Sequence, residues 1–126
     1  MQLTLENPDF RYALHGVRGN AVLVNDSWRE RSFLLTPMQL VADWRPRDVA
    51  DLRAEDMQPI LALEPGVVLL GSGQRLQFPA PEVMAACLTR GIGIEVMDNA
   101  AAARTFNVLA TEGRRVLAAF LLPGPG

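Results

Sequence analysis

The chain has 126 residues, of which 49% are hydrophobic and 21% charged, and its formal net charge is -2. That size and balance describe one soluble globular domain with a single buried core, and exclude a disordered or fibrous chain. All 12 basic residues are arginine, which removes P-loop and Schiff-base lysine chemistry, and the slight acidity argues against nucleic acid as a partner.

No apolar run reaches the length of about eighteen residues that a membrane-spanning helix needs. The first residues, Met1 to Pro8, lack the basic patch, apolar core and cleavage site of a signal peptide. The single cysteine, Cys87, cannot form an internal disulfide, which fits a reducing compartment. A cytoplasmic protein is expected.

Leu3 and Leu5 begin a short alternating piece, and Asn7-Pro8-Asp9 reads as a turn. From Tyr12 to Thr36 the pattern is that of an antiparallel meander: strands at Tyr12 to Val17, Ala21 to Val24 and Trp28 to Thr36. Their separators, Arg18-Gly19-Asn20 and Asn25-Asp26-Ser27, carry the residues that tolerate positive φ in hairpin turns. Pro37 ends the meander, and Met38 to Trp44 forms another short apolar piece. Asp48 is placed to cap a helix from Val49 to about Met57, which Pro59 should stop. Ile60 to Leu63 then reads as a short strand, and Glu64-Pro65-Gly66 as a turn.

Val67 to Leu70 is a continuous apolar run bounded by glycine, the signature of a strand buried on both faces. Pro81 opens a helix that Gly91 closes, with Val83, Met84, Cys87 and Leu88 on one face. Ile92, Ile94 and Val96 alternate as a strand, and Asp98 caps a second helix that ends before Gly113. Its apolar stripe is Ala102, Phe106 and Leu109. Arg115 to Leu122 is the last strand, and residues 123–126 should form a disordered tail. The strand-helix-strand-helix-strand order after Val67 predicts a three-layer α/β domain over residues 1–122. Its mixed, mostly parallel central sheet carries packed helices and the N-terminal antiparallel meander. Whether the last strand runs parallel or reverses is left open by the pattern.

The candidate sites follow from this layout. Gly71-Ser72-Gly73 after a buried strand has the placement of an anion-binding turn, although the third glycine and immediate helix of a dinucleotide fingerprint are missing. Arg104 and Asn107 lie three residues apart on one helix face, able to bind a carboxylate or a peptide group, with Glu112 as a nearby partner. His15 reads as an ordinary strand position and Cys87 as a buried thiol. One histidine and one cysteine cannot assemble a zinc site. Asp48, Asp51, Glu55 and Asp56 read as a solvated face. Neither a catalytic constellation nor a cofactor motif emerges. Trp28, Phe33 and Trp44 read as core, or as an interface for another protein or a second copy of the chain if exposed.

Several stretches carry a family resemblance: Val67 to Gln74, Gly91 to Asp98, Ala102-Ala-Arg-Thr-Phe-Asn-Val-Leu109 and Glu112-Gly-Arg-Arg-Val116. In these the chain resembles the uncharacterised-domain family that includes the mitochondrial complex I (NADH dehydrogenase) assembly factor three. Members often have threonine after the Met-Asp pair and cysteine just before the arginine, where this chain has Asn99 and Ala103. The resemblance implies a compact three-layer α/β fold, no established enzymatic activity, and association with other proteins. The leading expectation is therefore a non-enzymatic, protein-binding or assembly-factor-like module. The alternative is a small-molecule (anion or nucleotide) binder, or an enzyme, using a cleft between Gly71–Gly73 and the Arg104/Asn107 face.

Overall fold

A computed structural model describes residues 11–125. The piece around Leu3 and Leu5, the turn at Asn7 to Asp9 and the last residue of the tail lie outside them. The meander is β1 (Leu14–Arg18), β2 (Ala21–Val24) and β3 (Ser27–Arg29), a three-stranded antiparallel sheet. Arg18 pairs with Ala21 and Val24 with Ser27, so each hairpin turns in two residues. Gly19 (φ 56°) and Asn25 (φ 53°) supply the positive φ that such turns need.

The expected single strand from Trp28 to Thr36 is in fact two, and Glu30 separates them. After Glu30 the chain leaves the meander and enters a second sheet as β4 (Arg31–Leu35). Burial changes with it. Trp28 in β3 is 41% exposed, whereas Ser32 to Leu35 are all buried, because the chain passes at Glu30 from the outer meander to a strand paired on both sides in the second sheet. The second sheet also contains β5 (Leu40–Val41), β6 (Val67–Gly71), β7 (Gly93–Met97) and β8 (Val116–Pro123), in the order β5-β4-β8-β6-β7. Strands β6, β7 and β8 are mutually parallel, and β4 runs against both β8 and β5. The last strand is therefore parallel to β6, and the sheet is mixed with β4 alone reversed.

The helices are α1 (Gln58–Ala62), α2 (Pro81–Leu88) and α3 (Asn99–Thr111). The strand expected at Ile60 to Leu63 is instead α1, and the helix expected before it is two 3-10 turns, Val49–Asp51 and Ala54–Met57. Pro59 does not stop a helix but starts one, occupying the first turn where its missing N–H costs nothing. A four-residue apolar run cannot by itself distinguish a buried strand from a buried helical turn. In α2, Val83 and Cys87 are fully buried while Leu88 is 56% exposed, so the apolar face is narrower than expected. β8 also extends through Pro123, whose carbonyl accepts from Arg47 Nε at 2.9 Å.

Each face of the large sheet has its own core. On one, Phe33, Leu35, Leu69, Phe120 and Leu122 pack against α3 and the inner side of the meander, where Leu14, Val22 and Val24 point inward. On the other, Leu34, Val68, Leu70, Leu117 and Leu121 pack against Ile60 and Leu61 of α1, Val83 and Cys87 of α2, and Trp44. Three layers result, as the element order predicts.

The irregular stretch before α1 is held by charge. Arg45 donates from Nε to Asp56 Oδ1 (2.8 Å) and from Nη2 to Asp56 Oδ2 (2.7 Å), and from Nη1 to Asp51 Oδ1 (3.1 Å). The backbone N–H of Arg53 also donates to Asp56 Oδ2 (2.8 Å), and Trp44 Nε1 to the Asp56 carbonyl (2.8 Å). Asp56 is only 8% exposed and Asp51 half-buried, so the expected solvated face holds for Asp48 and Glu55 and fails for these two, which the Arg45 guanidinium engages. The Arg45 guanidinium, through its hydrogen bonds, holds the Asp56 and Asp51 carboxyls below the ordinary carboxylate value and raises its own pKa.

A depressed carboxyl pKa stabilises the fold above the unfolded-state value, and that contribution disappears as pH falls through the lower, folded-state value. Asp56→Ala should therefore cost about 2 kcal/mol at pH 7, the scale of losing charge-assisted hydrogen bonds at a buried acceptor. The difference from wild type should shrink as pH falls below the ordinary Asp value of 3.8. Urea titrations of both proteins across that range measure it.

Candidate functional site

Gly71-Ser72-Gly73 leaves the carboxyl end of β6 and is folded onto the first residue of α3. The Asn99 backbone N–H donates to the Gly73 carbonyl (2.8 Å), and the Gly73 N–H donates back to Asn99 Oδ1 (3.2 Å). Asn99 Nδ2 donates to the Leu121 carbonyl of β8 (3.2 Å), so a side chain only 1% exposed ties the turn, α3 and the sheet together. The Ser72 N–H donates to the Met97 carbonyl (2.8 Å). Its hydroxyl lies 2.8 Å from the Arg75 carbonyl and 3.2 Å from the Met97 carbonyl, and accepts from the Gln77 N–H (3.2 Å). The Ser72 and Gly73 amides, the natural donors to an anion, are thus spent inside the protein. Gly71 has its own reason to be glycine: a Cβ there would collide with Asn99 Oδ1 and lie 3.1 Å from the Phe120 ring.

Helix α3 begins at the Asp98 cap, whose carboxylate accepts from the Ala101 N–H at 2.8 Å. Ala102 and Phe106 are buried as the predicted stripe requires. The opposite flank, with Ala100, Ala103, Arg104 and Asn107 spaced one turn apart, looks onto β1. There Asn107 binds a peptide group, as its type and placement allow, but the peptide group belongs to this chain. Oδ1 accepts from the Leu14 N–H (3.0 Å) and Nδ2 donates to the Leu14 carbonyl (2.6 Å). The side-chain amide imitates a neighbouring strand residue and fastens the meander to α3.

Arg104 is exposed and lies with His15 on the rim of a groove of about 310 Å³ between α3 and β1. Leu14, Gly16, Val17, Ala100, Ala103 and Asn107 complete its walls. Arg104 and Asn107 are thus brought together. The glycine turn adjoins them through Asn99 but contributes no wall to this groove. Glu112 ends α3, exposed and away from these walls. Among the described residues, the ion pairs are Arg45–Asp51 and Arg45–Asp56. Cys87 is fully buried, and desolvation pushes its thiol pKa up, opposite to what a nucleophile needs. No group of His, Cys, Asp and Glu among the described residues is arranged to hold a metal ion.

Residues 14–121 match the family described as "Protein of unknown function (DUF498/DUF598)". This chain belongs to that family. The chain is also similar to curated relatives named NADH dehydrogenase (ubiquinone) 1 alpha subcomplex assembly factor 3. The Bos taurus protein is 39% identical over 90 residues, covering 70% of this chain and 48% of the relative. The Homo sapiens protein is 34% identical over 113 residues, covering 80% of this chain and 61% of the relative. The chain therefore spans about half to three-fifths of the length of these relatives. Among solved structures, a Xanthomonas campestris protein is 50% identical with a TM-score of 0.85, covering all of this chain and 96% of its own. A Bordetella parapertussis protein is 33% identical with a TM-score of 0.84, covering 92% and 99%. The family resemblance read from the sequence is confirmed.

Sequence reasoning did not single out Asn99 or the Arg45–Asp56 pair. The available signal for Asn99 was an amide directly after a capping aspartate, at the strand–helix junction level with a glycine-bounded strand end. Gly71→Ala should destabilise the family fold by ~2–3 kcal/mol through overpacking, and Asn99→Ala should relieve the clash while losing its own bonds. In a double-mutant cycle by chemical denaturation, the double mutant should lose less stability than the sum of the two single losses. Asn107→Ala should cost about 1–2 kcal/mol and make the Leu14 amide exchange with solvent faster, while amides of β6 keep their protection.

Proposed function

We propose that this chain is a non-catalytic protein-binding module of the assembly-factor type, acting in the cytoplasm on a protein partner. The observation that carries this reading is the family relationship to proteins named as complex I assembly factors. The role in that name belongs to those relatives. What is proposed for this chain is the mode of action, holding a partner by surface contacts rather than transforming a substrate.

The geometry supports it in two ways. The polar groups that looked chemical in the sequence are largely engaged in internal hydrogen bonds, at Ser72, Gly73 and Asn107. The large apolar side chains left outside are then the surface's main binding resource. Phe78 is 67% exposed and Leu76 53%, both on the loop between β6 and α2. That loop is pinned at Ser72 and by the bond from Gln74 Nε2 to Asn20 Oδ1 (3.0 Å). An aromatic side chain presented on a fixed loop loses little entropy on binding and makes an effective anchor.

The second reading, a small-molecule or anion binder, is favoured by one feature, the exposed Arg104 guanidinium on its groove. A photo-crosslinking residue placed at Phe78 in the source cell should capture one reproducible protein, and Leu76→Ser should abolish the capture. In parallel, nucleotides, phosphates and small carboxylates at saturating concentration should leave the melting temperature unchanged. A clear ligand-dependent rise would overturn the protein-binding reading in favour of the second.

A further inference from the structure

The meander carries a second exposed aromatic side chain, and arginines surround it. Trp28 of β3 is 41% exposed, and the Arg18 guanidinium of β1 lies over its ring, 4.4 Å from the centroid. Three grooves of about 350, 230 and 460 Å³ meet beside it at Pro125. Arg18 and Trp28 line the first, Arg29 and Arg31 the second, and Arg31, Arg45 and Arg47 the third. Five of the chain's 12 arginines thus border one surface of a protein whose formal net charge is -2. The carboxylates among the lining residues are Glu30 and Asp43.

The five arginines are not equally free. Arg45 is neutralised by Asp51 and Asp56. Arg47 donates to the Pro123 carbonyl, which orients its guanidinium without cancelling the charge. Among the described residues, Arg18, Arg29 and Arg31 have no carboxylate partner. Nε of Arg29 is, among those residues, the one buried side-chain nitrogen or oxygen without a hydrogen-bond partner. Buried donors are ordinarily satisfied, so an unmet donor on this surface is an observation independent of the charge. The surface also adjoins the exposed apolar loop. Asn20, which lines the first groove, accepts from Gln74 Nε2 on the loop that carries Leu76 and Phe78.

We infer that the partner held at the Phe78 loop also lays an extended acidic segment along these grooves, its carboxylates on Arg18, Arg29 and Arg31 and an apolar group against Trp28. Tryptophan and arginine dominate binding hot spots, and guanidinium groups take carboxylates through paired, charge-assisted hydrogen bonds. Glu30 and Asp43 interrupt the positive surface, which suits separated carboxylates and disfavours the unbroken charge of a nucleic-acid backbone. This rests on the protein-binding reading and names the chemistry of the partner.

The test titrates the full chain with a peptide of alternating glutamate and alanine, about eight residues long, so that its carboxylates share one face when extended. NMR shifts should concentrate at the Trp28 indole N–H, the Arg29 Nε–H and the Gly124 amide, and a glutamine–alanine peptide should produce none. Arg18→Gln with Arg31→Gln, both at exposed positions, should weaken binding at least about tenfold. Arg90→Gln with Arg114→Gln removes the same charge at exposed positions elsewhere and should change affinity less than about twofold. Shifts scattered over the whole surface, equal weakening by the two double variants, or oligouridylate bound as tightly as the peptide would each overturn the inference. If the protein crosslinked at Phe78 is captured equally well by the Arg18→Gln, Arg31→Gln variant, the arginine surface is wrong and the protein-binding function stands.

Discussion

Everything in the fold depends on β8 being buried on both faces. It is the middle strand of the large sheet, parallel to β6 on one side and antiparallel to β4 on the other. Its residues divide strictly between the two cores: Val116, Ala118, Phe120 and Leu122 on one face, Leu117, Ala119 and Leu121 on the other. The alanines let β8 be approached closely, while Phe120 stacks on Phe33 of β4 with ring centroids 5.1 Å apart. A one-residue slip would exchange both faces at once, so the register is specified by two cores rather than one. Where β4 bulges against β8, the buried Ser32 hydroxyl accepts from the Leu122 N–H (2.9 Å) and lies 3.2 Å from its carbonyl, repairing the ladder.

Around that strand, buried or half-buried polar side chains serve as fasteners. Asn99 joins the β6 turn, α3 and β8; Asn107 joins α3 and β1; Ser72 holds the exit of β6; Asp56 gathers Arg45, Arg53 and Trp44. Each satisfies groups that irregular backbone would otherwise leave unpaired away from water. This shapes what the surface offers. Of the side chains that resemble binding groups in the sequence, Ser72 and Asn107 are occupied, while Arg104 and Glu112 stay exposed.

Much of the fold was legible. The alternation of Ile94 and Val96, the unbroken Val67 to Leu70 run, the Asp98 cap and the proline at the start of α2 each have one dominant physical reading, and the elements appear where those readings put them. The misread stretches share a cause. Ile60 to Leu63 is too short for periodicity to choose between strand and helix, and Trp28 to Thr36 hides a change of sheet inside a continuous β pattern. Local propensity carries no information about which neighbour a segment will meet.

The candidate site divides along the same line. The sequence by itself determined the α/β class, the family, the helix that carries Arg104 and Asn107, and the absence of lysine chemistry, because these depend on residue type and local spacing. Only the tertiary structure decided that Asn107 is spent on Leu14, that Asn99 fills the space that Gly71 leaves, and that Arg104 stands exposed beside β1. Those facts depend on partners 93, 28 and some ninety residues away along the chain. A hydrogen bond's availability is set by what folding brings beside it, and a sequence shows the donor without its neighbour.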